Sequence, residues 1–168
     1  VRYREPVILC HGLGANHLNL DLPGATLASL LCKEGFDVWI PDLRGMGTSE
    51  KPRLFSRKRW NWTSQEQAEL DIPAIIAMVK EKTDSKNVLW VGHSMGGMLM
   101  YIYLANGGQS VSAAFALASP VTFIPQWRMK VILQCQGIIK LLPFLPQSGF
   151  MRIVSVFLGI LPRNQLAA

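Results

Sequence analysis

The sequence predicts an α/β fold: a mainly parallel sheet with helices on both faces. Three observations carry this reading. Four short, β-prone apolar segments alternate with helical patterns along the chain. These segments are apolar throughout instead of alternating with polar residues, as strands covered on both sides are. Each is followed by glycine- or proline-containing loop signals.

The first strand is read at 7–10, Val7-Ile8-Leu9-Cys10. A glycine-containing loop follows, then a helix over about 25–33, closed by Gly35 as its C-cap. The second strand is read at 37–41 and ends at Pro41-Asp42. Residues 51–62 form a basic, tryptophan-containing connection. Thr63 and Glu66 then have the spacing of a capping box. The helix behind them carries Ile72, Ile75, Ile76 and Val79 on one face, and Pro73 inside it predicts a kink or break. The third strand is read at 87–92 and a helix at 95–106, stopped by Gly107-Gly108. The fourth strand is read at 113–118. Residues 1–120 are thus expected to form the core. Residues 121–168, apolar and interrupted by Pro143, Pro146 and Gly149, read as the start of a helical lid or cap segment.

Composition excludes several classes. Hydrophobic residues make up 49% and charged residues 17%, too apolar for a disordered chain. The net charge of +6 could suggest nucleic acid, but the basic residues after Ser94 are scattered among apolar ones and no nucleic-acid motif occurs, so no nucleic-acid partner is expected. Cys10, Cys32 and Cys135 have no metal-ligand spacing. The first two read as buried thiols, and the set leans toward a reducing, cytoplasmic compartment. No uninterrupted apolar stretch reaches the roughly 18 residues of a membrane span. Val1 enters a strand within six residues, so a natural start is not expected there, and any signal peptide would lie outside the sequence.

Chemistry is concentrated at Gly92-His93-Ser94-Met95-Gly96-Gly97, between a buried strand and a helix. A serine on such a turn has strained backbone angles and a hydroxyl clear of the sheet. Gly92 and Gly96 are required where side chains would collide with strand and helix. The helix behind Ser94 offers N–H groups and a positive dipole end. Acyl transfer needs two N–H donors for its oxyanion. Met95 is placed to give one, and Leu13, in the loop His11-Gly12-Leu13-Gly14, the other. His11 also has a structural reading, as a histidine holding that loop. In the segment 42–49, Asp42 could pair with Arg44 or cap the turn. His93 points away from its neighbour Ser94 on a sharp turn, and His17 reads as exposed or near the site entrance.

His11-Gly12, the segment 42–49 and Gly92 to Gly97 together resemble the α/β-hydrolase superfamily, over about residues 5–120. The stretch from Trp60 through Asp71-Ile72-Pro73-Ala74 to Ser94 is similar to the acid and gastric lipase branch. The resemblance implies the α/β-hydrolase fold, truncated before its last strands. It also implies a serine hydrolase acting on esters, with Ser94 as nucleophile and the N–H groups of Leu13 and Met95 as oxyanion hole. His11, Gly12, Gly92, His93 and Gly96 would support them. No cofactor or metal is implied.

In that superfamily the acid and histidine follow the nucleophile in the chain. Here residues 95–168 contain no Asp, Glu or His, and the place after the fourth strand holds Ser119 and Pro120. These residues alone are therefore expected to be close to inactive. The apolar 121–168 segment, with Trp60, Trp62 and Trp127, suggests a small hydrophobic ester or lipid substrate, and contact with a lipid surface through 121–168. The same turn serves acyltransferases, amidases, thioesterases and haloperoxidases. A non-catalytic short form binding a hydrophobic ligand or partner is the reading from another class.

Overall fold

The computed structural model describes residues 2–24, 26–51 and 62–122. The expected connection at 52–61, position 25, and the lid segment beyond Thr122, with Trp60, Trp127 and Cys135, lie outside them. The chain divides into two units, Val1–Val121 and Thr122–Ala168.

Four strands, β1 (Val7–Cys10), β2 (Val38–Trp39), β3 (Val88–His93) and β4 (Val111–Leu117), form one sheet in the order β2-β1-β3-β4. Every pairing is parallel, with Val7 opposite Val38 and Leu89, and Gly92 opposite Cys10 and Ala116. The helices are α1 (Leu27–Lys33), α2 (Ser64–Glu66), α3 (Ile72–Thr83) and α4 (Met95–Ala105). Alternation along the strands divides the core into two. Val7 and Leu9, with Leu89 and Val91, pack against Ala28, Leu27 and Leu31 of α1. Ile8 and Cys10, with Val88 and Trp90, pack against Ile72, Ile76 and Val79 of α3 and Leu99 and Met100 of α4. Trp90 is fully buried; such burial contributes about 2–3 kcal/mol.

Local chemistry sets the helix ends. Thr26 caps α1 reciprocally with Ser29, a box unread in the sequence; such caps contribute about 1 kcal/mol each. At its other end Gly35 turns left-handed (φ +96°), and the N–H groups of Gly35 and Phe36 donate to the carbonyls of Cys32 and Leu31. Thr63 and Glu66 form the expected box. The expected interruption at Pro73 takes the form of a π turn over Gln67–Asp71, where the Ile72 N–H donates to the Gln67 carbonyl five residues back. Proline has no N–H for the carbonyl four residues back, and its ring crowds that group; a wider turn relieves both.

Three expectations need correction. β2 has only two residues where 37–41 was read. β4 is apolar in sequence, yet it lies at the sheet edge with Phe115 58% and Leu117 43% exposed; among the described residues no strand pairs with its outer side. Cys10 is buried, but Cys32 is exposed near the end of α1. Among the described residues no helix is long and apolar enough to cross a membrane, and no cluster of His, Cys, Asp or Glu could hold a metal ion.

Candidate active site

Strands β1 and β3 are neighbours whose connections leave in opposite directions, to β2 and to β4. That reversal opens a crevice at their carboxyl ends, where α/β sheets bind ligands. Ser94 sits there, between β3 and α4, with φ 52° and ψ −115°. A left-handed φ on a non-glycine residue is strained by about 1–3 kcal/mol. The surroundings hold it. The Ser94 N–H donates to the Leu117 carbonyl (2.8 Å), and its own carbonyl accepts from Gly97 and Met98 at the start of α4. A Cβ on Gly92 would lie 2.4 Å from the Gly96 carbonyl carbon; one on Gly96 would lie 2.4 Å from the Cys10 carbonyl oxygen. Both contacts are with backbone, so only glycine allows α4 to start this close to the sheet. The Trp90 indole Nε1 ties the strand to that first turn by donating to the Gly96 carbonyl at 3.1 Å.

The loop after β1 lies against Ser94. A Cβ on Gly12 would be 3.1 Å from the Ser94 Cβ and 3.3 Å from the His93 Nδ1. That Nδ1 is buried without a hydrogen-bond partner among the described residues. The His11 side chain is fully buried. The Leu43 N–H donates to its Nε2 (3.2 Å), so Nδ1 carries the hydrogen that donates to the Gly12 carbonyl at 2.9 Å. Both ring nitrogens are occupied: Nε2 joins the loop after β1 to the loop after β2, and Nδ1 bonds within the loop after β1. The Leu13 side chain is 71% exposed, whereas Met95 is buried.

Asp42 does not pair with Arg44. Its carboxylate accepts from the N–H and Nδ1 of His17 (both 2.8 Å) and from the N–H (2.8 Å) and hydroxyl (2.9 Å) of Thr48. Burial alone would push this carboxyl up, but the hydrogen bonds from Thr48 and His17 outweigh it and hold the group well below the usual carboxylate range. Arg44 instead clamps Asp71, its Nε 2.8 Å from both carboxylate oxygens. His17, read as a loop histidine at the entrance, is one-third exposed and tethered. Cys10 lies inside the sheet, where burial and then the Asp71 charge push its thiol up to about 12.

Three contributors have no role assigned from the sequence. Asp71 enters there only within the stretch similar to the acid and gastric lipase branch, and Trp90 only as an apolar strand residue. Ser119 follows β4, where a Cβ on Gly97 would lie 2.2 Å from its hydroxyl oxygen; that hydroxyl lies 3.3 Å from the Gly92 carbonyl and 3.1 Å from the Leu117 carbonyl. The pair Gly96-Gly97 was a signal for close approach of another segment. A cleft of about 470 Å³ lies among Arg2, Arg4, Trp39 and Lys82, and none of the residues singled out in the sequence lines it.

A family model described as the alpha/beta hydrolase fold matches residues 5–143. The chain belongs to the α/β-hydrolase family. Within it, this α/β-hydrolase chain is 30% identical over 155 residues to human gastric triacylglycerol lipase, covering 88% of this chain and 37% of that protein. It is 32% identical over 163 residues to human lysosomal acid lipase/cholesteryl ester hydrolase, covering 88% and 41%. It spans 40% of human lipase member M and 32% of human lipase member K, so it matches well under half the length of these curated relatives. Among solved structures, the monoacylglycerol lipase of Paleococcus ferrophilus superposes with a TM-score of 0.58 at 24% identity, over 84% of this chain and 50% of that one, a likeness of fold.

Proposed function

We propose that this chain carries the nucleophile and oxyanion hole of a serine hydrolase acting on carboxylic esters or lipids. One observation carries the reading: Ser94 is held in a strained conformation at the head of α4, with the Gly12 loop against its side chain. Its Oγ attacks the ester carbonyl carbon, and the oxygen that gains charge is met by the N–H groups of Met95 and Leu13. The first N–H groups of a helix have no acceptor within it, so Met95 has a donor to spare. The relatives named as lipases support a hydrophobic substrate, and residues 121–168 are proposed as the start of a lid that meets a lipid surface.

A serine hydroxyl needs a general base. No hydrogen bond joins any of the three histidine rings to the Ser94 hydroxyl among the described residues. His11 has both ring nitrogens engaged and the His93 Nδ1 is enclosed against the Gly12 loop, while His17 is held by Asp42 through Nδ1, as a base would be, but makes no contact with Ser94. The base and its acid are therefore proposed to come from beyond these 168 residues, which by themselves should show marginal turnover of p-nitrophenyl acetate and none of a triglyceride. What remains without a triad is about 10³–10⁴-fold over water.

The test is a fluorophosphonate probe on the intact protein; Oγ displaces fluoride, forming an O–P bond. Label confined to the Ser94 peptide and lost in Ser94→Ala is expected. Label that persists in Ser94→Ala, or none at all, refutes the assignment.

A further inference from the structure

The loop after β1 is pinned to the loop after β2 at two points, on either side of Leu13. At the near end His11 accepts from the Leu43 N–H. At the far end His17 donates twice to Asp42, through its backbone and its ring. Between them the loop has little else to hold it. Gly12 is buried, but Leu13 is 71% exposed, Gly14 is exposed too, and the internal Ala15 N–H to Gly12 carbonyl bond is long at 3.3 Å. Apolar burial therefore does little to fix residues 13–16, and the hydrogen bonds to Asp42 do so.

The other half of the contact is rigid by itself. The N–H and hydroxyl of Thr48 both bind the Asp42 carboxylate, and the Ser49 hydroxyl donates to its backbone carbonyl at 2.5 Å. Gly47, at φ +47°, passes so close that a Cβ there would lie 2.0 Å from Oδ2. Asp42 thus stays in place without His17, whereas the loop after β1 depends on it.

We propose that His17 is a positioning residue: its clasp on Asp42 fixes the loop that presents the Leu13 N–H beside Ser94. The inference rests on the reading of Leu13 and Ser94 above and adds a residue that touches neither substrate nor nucleophile.

The experiment compares wild type, His17→Phe and His17→Asn in the intact protein. Phenylalanine keeps the ring shape and the backbone N–H but loses the ring donor. Asparagine restores a donor at the position of Nδ1. Two quantities are read: the fluorophosphonate labelling rate at Ser94, whose P=O oxygen occupies the proposed oxyanion hole, and amide exchange of residues 12–17, with Val88–His93 as the folding control. His17→Phe should slow labelling about tenfold or more, the scale set by small displacements of catalytic groups. It should speed exchange at 12–17 while Val88–His93 stay protected. His17→Asn should recover both. Wild-type labelling in His17→Phe, unchanged exchange at 12–17, or an asparagine variant no better than phenylalanine overturns the proposal. A wild-type protein that does not label removes the nucleophile reading itself, and this role of His17 with it, a failure distinct from the variants' failures.

Discussion

Replacing Gly96 by alanine adds one carbon where the first turn of α4 meets the end of β1. That carbon would sit 2.4 Å from the Cys10 carbonyl oxygen and 2.9 Å from both the Cys10 carbonyl carbon and the His11 carbonyl oxygen. Close C···O contacts in proteins lie at about 3.3 Å, so helix and strand must separate by roughly 0.9 Å. All three atoms are backbone, and none can turn aside. Overpacking of this kind destabilises by about 3 kcal/mol at the upper end of its usual range. Alanine's better helix propensity returns about 1 kcal/mol. The net loss is then about 2 kcal/mol. With a urea dependence of about 2 kcal/mol per molar, the unfolding midpoint should fall by about 1 M, read by tryptophan fluorescence. Gly97→Ala is the comparison. Its new carbon meets the Ser119 Oγ, which can rotate away, and the Ser119 Cβ at 2.7 Å, which can yield only by a shift of the chain after β4; with one contact relieved by rotation, its midpoint should fall less. An unchanged midpoint in Gly96→Ala, or a larger fall in Gly97→Ala, would refute the close-approach argument.

Other outcomes follow from the same geometry. Ser94→Gly should lose fluorophosphonate labelling yet gain about 1 kcal/mol of stability, because glycine adopts φ 52° without strain; a lower midpoint would contradict this. Asp42→Ala should lose about 3 kcal/mol at neutral pH, since it leaves donors from His17 and Thr48 without their acceptor. The folded-state carboxyl is held low, so its stabilisation is complete above the unfolded value of about 3.9 and is lost as pH falls toward the folded one. The gap between wild type and variant should narrow below about pH 4; a gap constant down to pH 2 would be inconsistent with that linkage. Residues 1–168 expressed alone should self-associate through the edge of β4, which no strand covers among the described residues, and Phe115→Lys should reduce this; a monodisperse monomer at micromolar concentration would exclude it.

Legibility in the sequence followed the range of each interaction. β1 and β3 were readable because their central position makes nearly every residue apolar, and the turn at Ser94 because its glycines adjoin it. The boundaries of β2 were not, because its ladder is set by residues in β1. Asp42 and Arg44, two apart, invited a pairing that the structure does not make; each finds its partner 25 or 27 residues away along the chain. No local pattern announces such a choice. Pro73 announced a disturbance but not its form, because a π turn depends on which carbonyls the surrounding helix can still satisfy. The apolar run of β4 describes what a strand is suited to meet, and its exposure shows what the described residues supply.

The register between β1 and β3 has a further consequence, for the order in which the molecule can assemble. Val7 pairs with Leu89, so the central ladder closes across roughly eighty residues of chain. Before β3 is available, β1 has among the described residues only the two-residue strand partner β2, although α1 and α3, which cover its two faces, precede β3 in the chain. During synthesis residues 7–87 therefore leave the ribosome without the central strand of their sheet. When Val88–His93 emerges, one strand completes the centre of the sheet and brings the Ser94 turn against the Gly12 loop in the same step. Long parallel closures of this kind are slow. The candidate site thus forms late, together with the core, and no earlier intermediate of this chain can contain it.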